Sequence, residues 1–304
     1  MSSEITLFVN PTAGRGRGAH AAQPAASALR AAGFSVRTVV GADGPDALAR
    51  LRTAVREGAG AVVAVGGDGL VSLALQALAG TAVPLGVVAA GTGNDFARAL
   101  GLPVRDPARA GRLAAEALKE GRVREVDLGR VAAPSRAAGS PGTWYGTVLC
   151  SGFDARVNDR GNRMRLPVGR FRYDLALVAE LAAFRPLPYR ITLDDGPVIE
   201  TEAALVAVGN GSSYGGGMRI CADAVPDDGL FDVTVVGDCG RATLLRVFPR
   251  VYRGTHIGHP KVSVHRAAKI TLESPDATAY ADGEPLGPLP VTAACVPGAL
   301  RLLA

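Results

Sequence analysis

Apolar and polar positions follow two alternating patterns in the first 120 residues. Short runs rich in valine and alanine are too short for helices and predict buried strands at residues 4–9, 34–40, 59–65 and 84–90. Segments with apolar residues at helical spacing separate or follow them, at residues 19–32, 43–57, 71–78, 96–100 and 107–120. Strand and helix therefore alternate, which predicts a doubly wound parallel sheet with helices on both faces.

From about residue 128 the pattern changes to short strands separated by turns. Strands are predicted at residues 126–131, 143–150, 189–193, 198–209, 230–236, 269–273, 278–281, 291–296 and 300–303, with helices at 171–184 and 244–252. We therefore predict an α/β protein with a parallel-sheet domain at residues 1–127 and a mostly antiparallel β domain at residues 128–295. Residues 296–304 are able to return to the first domain.

Composition narrows the class of protein without choosing a function. Of 304 residues 48% are hydrophobic and 20% charged, which excludes wholesale disorder. The net charge of +5 permits an anionic substrate or membrane surface. The N-terminus does not resemble a signal peptide, and no apolar run is long enough to span a bilayer. A reducing cytosol is expected, because four cysteines lie far apart without metal-ligand or disulfide spacing: Cys150, Cys221, Cys239 and Cys295.

Three glycine-rich loops follow predicted strands, at residues 10–18, 66–69 and 91–95. The carboxyl ends of parallel strands meet at one sheet edge, where ligands bind in such folds. A single loop of this kind is more often an ordinary tight turn, but three at one edge favour a nucleotide site. Asp68 lies inside the second loop and cannot face a phosphate unless a metal ion, a proton or a basic neighbour compensates its charge, and a metal ion is the usual solution.

Five motifs lie in order along nearly the whole chain, at residues 10–14, 66–69, 84–97, 226–232 and 282–284. They resemble those of the diacylglycerol kinase catalytic-domain family, the soluble lipid kinases that include sphingosine kinases and bacterial diacylglycerol kinases. A glycine–aspartate turn alone is shared with NAD kinases and phosphofructokinases, whereas five motifs in this order are specific.

The resemblance implies ATP and Mg²⁺ as cofactors, bound in a cleft between the two domains. Glu284 would take the proton of the acceptor alcohol, with Asp282 beside it, and Asp68 would hold the magnesium that accompanies ATP. Two neighbouring carboxylates would also raise one pKa toward neutrality. The implied nucleotide contacts are Asn10, Pro11, Thr12, Ala13, Gly14, Gly66, Gly67, Asp68, Gly69, Thr92 and Asn94.

A second, structural Mg²⁺ is implied at Asp228 with the backbone carbonyls of Val225 and Leu230, since hard oxygen ligands suit that ion. The alternative is a tight turn closed by aspartate hydrogen bonds. Asp282 and Glu284 have a similar alternative, a solvated hairpin, and Asn94 could cap a helix instead of contacting nucleotide.

Leu70 departs from the family pattern, in which threonine usually follows the second loop. The change removes a hydroxyl that could touch a phosphate or cap the next helix, and Ser72 is a candidate replacement. Arg15 and Arg17 either add positive charge near the phosphates or are solvated. Four further arginines either face anionic lipid or lie in a solvated loop: Arg163, Arg165, Arg170 and Arg172.

The leading hypothesis is an ATP-dependent lipid kinase that phosphorylates diacylglycerol to phosphatidic acid. Its partner would be a lipid substrate at a membrane surface. The protein would be cytoplasmic and would associate peripherally with the inner face of the membrane. No nucleic acid is expected, and a homodimer is left open. The alternatives are a kinase for a sphingoid base, another lipid alcohol or NAD, and a nucleotide-binding regulator without catalysis.

Overall fold

The N-terminal half is a parallel sheet covered on both faces. A computed structural model describes residues 4–132, 142–163, 179–181 and 183–304. The sheet has the order β2-β1-β3-β4, and its strands are β1 (Glu4–Val9), β2 (Ser35–Val39), β3 (Ala61–Gly66) and β4 (Leu85–Ala89). The helices are α1 (Ala13–Ala31), α2 (Gly44–Arg56), α3 (Asp68–Leu78), α4 (Asp95–Ala99) and α5 (Pro107–Glu120).

Side chains alternate across this sheet, as a doubly wound fold requires. Phe8 and Val62 pack with the helices α2 and α3 on one face. Leu7 and Val63 pack with α1 and α5 on the other. Because both faces are buried, the strands read in the sequence as continuous apolar runs rather than as alternating ones.

The C-terminal half is mostly antiparallel. Its sheet runs in the order β14-β13-β7-β9-β8-β12-β15, with β10 and β11 extending from β9, and β5 and β6 from β15. The strands are β5 (Arg124–Ala132), β6 (Thr143–Tyr145), β7 (Val148–Gly152), β8 (Leu187–Leu193), β9 (Val198–Gly209), β10 (Phe231–Gly237), β11 (Val262–Ala267), β12 (Lys269–Glu273), β13 (Thr278–Ala281), β14 (Glu284–Pro288) and β15 (Val291–Leu302). The helices are α6 (Phe153–Arg163) and α7 (Arg241–Val251), with a short 3-10 helix at Thr255–Gly258.

One strand joins the two halves. The sequence predicts two short strands at the C-terminus, whereas β15 is a single strand with a bulge between Val296 and Leu300. Its first part pairs with β12 and β5, and Leu302 at its end pairs in parallel with Leu85 of β4. The sheet is therefore continuous through both halves, and the C-terminal strand pairs with strands of both.

The remaining differences from the predicted elements are local. The helix α1 begins at Ala13 and not at residue 19, but Gly14, Arg15 and Gly16 have non-helical φ and ψ values, so the first glycine loop interrupts its start. The single strand predicted at residues 143–150 is divided into β6 and β7, and α6, β11 and β14 were not predicted. Most of the helix predicted at residues 171–184 lies outside the described residues, as do Arg165, Arg170 and Arg172, and of Arg163 only the backbone is described, at the end of α6. None of the described helices is long and apolar enough to cross a bilayer.

Candidate active site

The three glycine loops converge on one cleft. It has a volume of about 1000 Å³ and lies at the carboxyl edge of the parallel sheet, with the start of α2 and Glu284 of β14 on its walls. The predicted site residues that line it are Asn10, Pro11, Thr12, Ala13, Gly14, Gly67, Asp68, Gly69, Thr92 and Glu284. Thus most of the predicted nucleotide contacts share one space with the predicted base.

The first loop is held by its own polar groups and by the third loop. The Oδ1 atom of Asn10 accepts from the N–H of Thr12 at 3.1 Å and from its hydroxyl at 2.8 Å. Gly14 has a φ of +59°, and a Cβ there would lie 2.1 Å from the carbonyl oxygen of Ala90. Only glycine fits this approach.

Arg17 connects the first loop to the third. Its guanidinium donates to the carbonyl oxygens of Gly14 and Gly91, both at 2.9 Å. Arg15 is exposed and has a φ of +65°. Of the two arginines considered as phosphate ligands, Arg17 therefore has a clear positioning role in the loop structure.

The second and third loops touch backbone to backbone. A Cβ on Gly91 would lie 2.5 Å from the Cα of Gly67, so the approach requires glycine at the third loop. Asp68 strengthens this contact, because its Oδ2 accepts the N–H of Asn94 at 2.6 Å and its Oδ1 accepts the N–H of Phe96 at 3.3 Å. The Asp68 carboxylate thus fixes the start of α4 while it also faces the cleft.

Two predicted nucleotide contacts lie behind the cleft surface. Asn94 is 4% exposed, and its amide makes two hydrogen bonds with the backbone of Gly91, at 2.9 and 3.1 Å. Gly66 is the buried last residue of β3. Both shape the loops from within. Asn94 is the N-cap residue of α4, as the alternative predicts, but its side chain binds Gly91 and does not cap the helix.

Leu70 belongs to the hydrophobic core beneath the second loop. It is 6% exposed, and a Cβ on Gly66 would lie 2.7 Å from its Cδ2 atom. The helix α3 begins after Gly67 without a side-chain cap. The leucine therefore contributes apolar packing in place of a hydroxyl, and both Leu70 and Ser72 line the cleft.

Asp282 and Glu284 have different environments although two residues apart. Both oxygens of Asp282 are occupied: Oδ2 accepts the N–H of Gly146 at 2.8 Å, and Oδ1 accepts the N–H of Thr147 at 2.9 Å and its hydroxyl at 2.5 Å. Burial raises the pKa of Asp282, and these hydrogen bonds oppose the rise. Asp282 is therefore better described as a positioning residue than as the catalytic partner that we predicted.

Glu284 lies at the start of β14, just after the turn that contains Asp282, and lines the cleft. Asp282 and Gly283 have φ values of +50° and +84°, which form a tight two-residue turn between Ala281 and Glu284. Glu284 is exposed, and its Oε1 lies 3.7 Å from where a Cβ on Gly69 would be. The turn thus brings a carboxylate that has no hydrogen-bond partner among the described residues from the C-terminal half to the second glycine loop.

Asp95 is a functional candidate that sequence reasoning did not select. It is 6% exposed; its Oδ2 accepts the N–H of Gly216 at 2.7 Å, and its Oδ1 has no partner among the described residues. Burial raises its pKa, the N–H of Gly216 opposes this, and nearby Asp68 adds to it. Its contact with Gly216 could not be foreseen, because the two residues lie 121 positions apart in the chain.

The second predicted magnesium site lies in the loop before β10. Asp228 accepts from Leu230 N–H at 3.1 Å and forms an ion pair with Arg266. The guanidinium already neutralises this carboxylate and would repel a divalent cation. The residues present therefore do not fit Mg²⁺ at Asp228, Val225 and Leu230, and no cluster of three metal-binding side chains occurs in the described ranges.

Two buried residues that we did not predict hold this loop. Asp127 accepts the N–H of Gly229 at 2.7 Å and that of Gly298 at 2.8 Å. Asn210, with no exposed surface, donates to the carbonyl oxygen of Asp127 at 2.8 Å. The aspartate motif is thus a structural connection between β5, β9 and the bulge of β15.

Comparisons with known proteins find two family domains along this chain. The diacylglycerol kinase catalytic domain matches residues 4–131, and the YegS C-terminal NAD kinase beta sandwich-like domain matches residues 147–304. A diacylglycerol kinase of Mycobacterium tuberculosis is 44% identical over 99% of this chain and 94% of its own length. A probable lipid kinase YegS-like protein of Xanthomonas euvesicatoria is 31% identical over 91% of this chain and 89% of its own.

Solved structures confirm the predicted fold class. A diacylglycerol kinase from Bacillus anthracis superimposes with a TM-score of 0.72 at 24% identity, over 99% of this chain and 96% of that one. The two matched domains and the relative at 44% identity support a kinase over the non-catalytic alternative. The chain belongs to the diacylglycerol kinase family of lipid kinases, whose members transfer a phosphoryl group from ATP to an alcohol.

Proposed function

We propose that this protein phosphorylates the hydroxyl group of diacylglycerol and so forms phosphatidic acid. The observation that carries the proposal is the position of Glu284, an exposed carboxylate beside the glycine loops in the cleft of about 1000 Å³. The names of its relatives support diacylglycerol as the acceptor, among them the mycobacterial protein at 44% identity. We also propose that the protein acts peripherally at the cytoplasmic face of the membrane, where the lipid and ATP meet.

The residues of the cleft support a direct transfer. Backbone N–H groups of the three loops would bind the ATP phosphates, as glycine loops at strand ends do. Glu284 would accept the proton of the acceptor hydroxyl while that oxygen bonds to the γ-phosphorus. The bond from the γ-phosphorus to the bridging oxygen breaks, and ADP leaves with its electron pair.

Asp68 and Asp95 fit a magnesium ion that accompanies ATP. Asp68 lines the cleft, and the carboxylate of Asp95 lies near it. The buried Oδ1 atom of Asp95 has no partner among the described residues. Carboxylate and phosphate oxygens are the ligands that Mg²⁺ prefers. When bound, the ion would neutralise charge on the β- and γ-phosphates.

The acceptor is tested by one transfer experiment. Purified protein is incubated with γ-labelled ATP, Mg²⁺ and mixed micelles that contain diacylglycerol, sphingosine or neither, and with NAD in a parallel reaction. We expect label in phosphatidic acid. Label only in a phosphorylated sphingoid base or only in NADP would identify a different acceptor and overturn the assignment.

A further inference from the structure

Helix α7 exposes an apolar strip on the C-terminal half. Leu244, Val247 and Val251 face the core, whereas Leu245 is 57% and Tyr252 is 52% exposed. Phe248 lies between these two at helical spacing, and its ring meets the Tyr252 ring edge to face at 6.2 Å. Large apolar side chains grouped in this way on a surface indicate an interaction site.

An arginine strip runs alongside the apolar one. Arg246 and Arg250 are exposed and lie four residues apart on the adjacent face of α7, and the exposed Arg253 follows in the turn directly after the helix. Within the described ranges none of the three forms an ion pair, although exposed arginines elsewhere, such as Arg37 and Arg190, do. Positive charge beside exposed apolar surface is typical of helices that lie in the interface of an anionic bilayer.

The position of α7 connects this surface to the active site. Leu244 and Val251 pack with Phe153 at the start of α6. The carbonyl oxygen of Val251 accepts the N–H of Arg219 at 3.0 Å, and the turn just before Arg219 supplies the N–H that binds Asp95. The helix therefore rests on the segment that contacts the start of α4.

We propose that the exposed face of α7 docks the protein on an anionic lipid bilayer. This rests on the proposed function, since a kinase for a lipid alcohol must meet its substrate at a membrane. Leu245, Phe248 and Tyr252 insert at the level of the headgroups, and the three arginines pair with lipid phosphates. The charge of the surface favours anionic lipid over a second copy of this basic chain, whose net charge is +5.

Flotation with vesicles tests the docking surface. Wild type is mixed with vesicles of phosphatidylcholine containing one third phosphatidylglycerol, and with phosphatidylcholine alone. We expect partitioning to the anionic vesicles to fall at least about 100-fold in Arg246→Glu/Arg250→Glu/Arg253→Glu, because three arginines at roughly one kcal/mol each contribute about 3 kcal/mol. Leu245→Ser/Tyr252→Ser should also weaken it about tenfold or more.

The matched control changes the same number of exposed arginines on the other half, in Arg30→Glu/Arg109→Glu/Arg112→Glu of α1 and α5. It has the same net charge as the triple arginine variant of the docking surface. It should bind anionic vesicles within about threefold of wild type, because salt screens exposed charges that lie away from the contact surface. Equal binding by the α7 variants and wild type would overturn the proposal. So would loss, in the α7 variants only, of a dimer seen by light scattering, because a second copy would then cover this face.

Activity separates this proposal from the proposed function. With a short-chain diacylglycerol dissolved as monomer, the α7 variants should retain wild-type turnover, which also shows that they fold. With diacylglycerol in anionic vesicles their turnover should fall as binding falls. If wild type phosphorylates no diacylglycerol but its flotation still depends on α7, the acceptor assignment fails while the docking surface stands.

Discussion

Neighbouring residues in this site have separate tasks that the sequence does not distinguish. Asp282 and Glu284 form one acidic motif, yet the first binds the backbone of Gly146 and Thr147 and the second faces the cleft. The alternation follows from the tight turn, which directs the two side chains to different sides. Leu70 is a similar case, because a position adjacent to a phosphate loop is occupied by a core residue.

Replacement of Leu70 tests that assignment. We expect Leu70→Thr to lower the free energy of unfolding by about 2 kcal/mol, because buried apolar surface is lost and a hydroxyl enters the core. The KM for ATP should change less than about threefold, since the Leu70 side chain packs against Gly66. Chemical denaturation and steady-state kinetics measure the two effects. A tenfold lower KM with unchanged stability would show that the position contacts nucleotide.

At the scale of elements, the site depends on how closely the loops approach each other. The first loop contacts the third at Gly14, and the third contacts the second at Gly67 and Gly91. Arg17 and Asp68 then bind backbone groups of the third loop. The loops therefore form one unit, in which displacement of one disturbs the N–H groups presented by the others.

Gly14 and Gly16 provide a matched pair to test this unit. Both have positive φ values, +59° and +90°, but a Cβ on Gly14 would lie 2.1 Å from the Ala90 oxygen, and one on Gly16 would meet no atom within 4 Å. Both substitutions by alanine carry a backbone cost of about 1–2 kcal/mol. Only Gly14→Ala should also reduce kcat/KM for ATP, by about tenfold or more. Equal kinetic effects in the two variants would contradict the role of the close approach.

The start of α6 contains a buried acid whose ionisation should depend on pH. Burial raises the pKa of Asp154 to about 6 from its ordinary 3.8; hydrogen bonds from Tyr214 and Cys150 oppose the rise. Because the folded state holds the proton more tightly, stability falls as pH rises from about 4 to 6, by at most about 3 kcal/mol. The loss is complete above the folded pKa.

Asp154→Asn should remove this dependence. We expect the free energy of unfolding of the variant to match that of wild type near pH 4. The difference, variant minus wild type, should rise with pH and reach a plateau by about pH 7. Urea denaturation at a series of pH values measures the difference. A relative stability that falls as pH rises would mean that the carboxylate is stabilised in the folded protein.

At the scale of the whole molecule, β15 and a side-chain contact hold the two halves around the cleft. β15 pairs with β5, β12 and β4. Gln76 of α3 donates to the carbonyl oxygen of Trp144 at 2.7 Å and accepts its N–H at 3.0 Å. These connections set the position of Glu284 relative to the second loop, so the geometry of transfer is a property of both halves together.

The sequence was sufficient for the class of fold and for the loops of the cleft. Strands and helices of the first half have strong local patterns, and the bounds of α5 and β9 agree with those predicted. Contacts between distant segments could not be predicted in this way. Asp95 with Gly216, Asp127 with Gly298 and Asp282 with Thr147 each join residues more than 120 positions apart. Their roles depend on strand order, which local periodicity does not contain.

The most direct test of the account is phosphoryl transfer by Glu284→Gln. With γ-labelled ATP, Mg²⁺ and diacylglycerol in mixed micelles, we predict that kcat falls by about 10²- to 10⁴-fold, because the acceptor hydroxyl loses its base. The thermal stability and ATP affinity should stay near those of wild type, since Glu284 is exposed. Glu116→Gln, at an exposed position on α5, is the control and should keep full activity. Full activity in Glu284→Gln would contradict the assignment of Glu284 as the base.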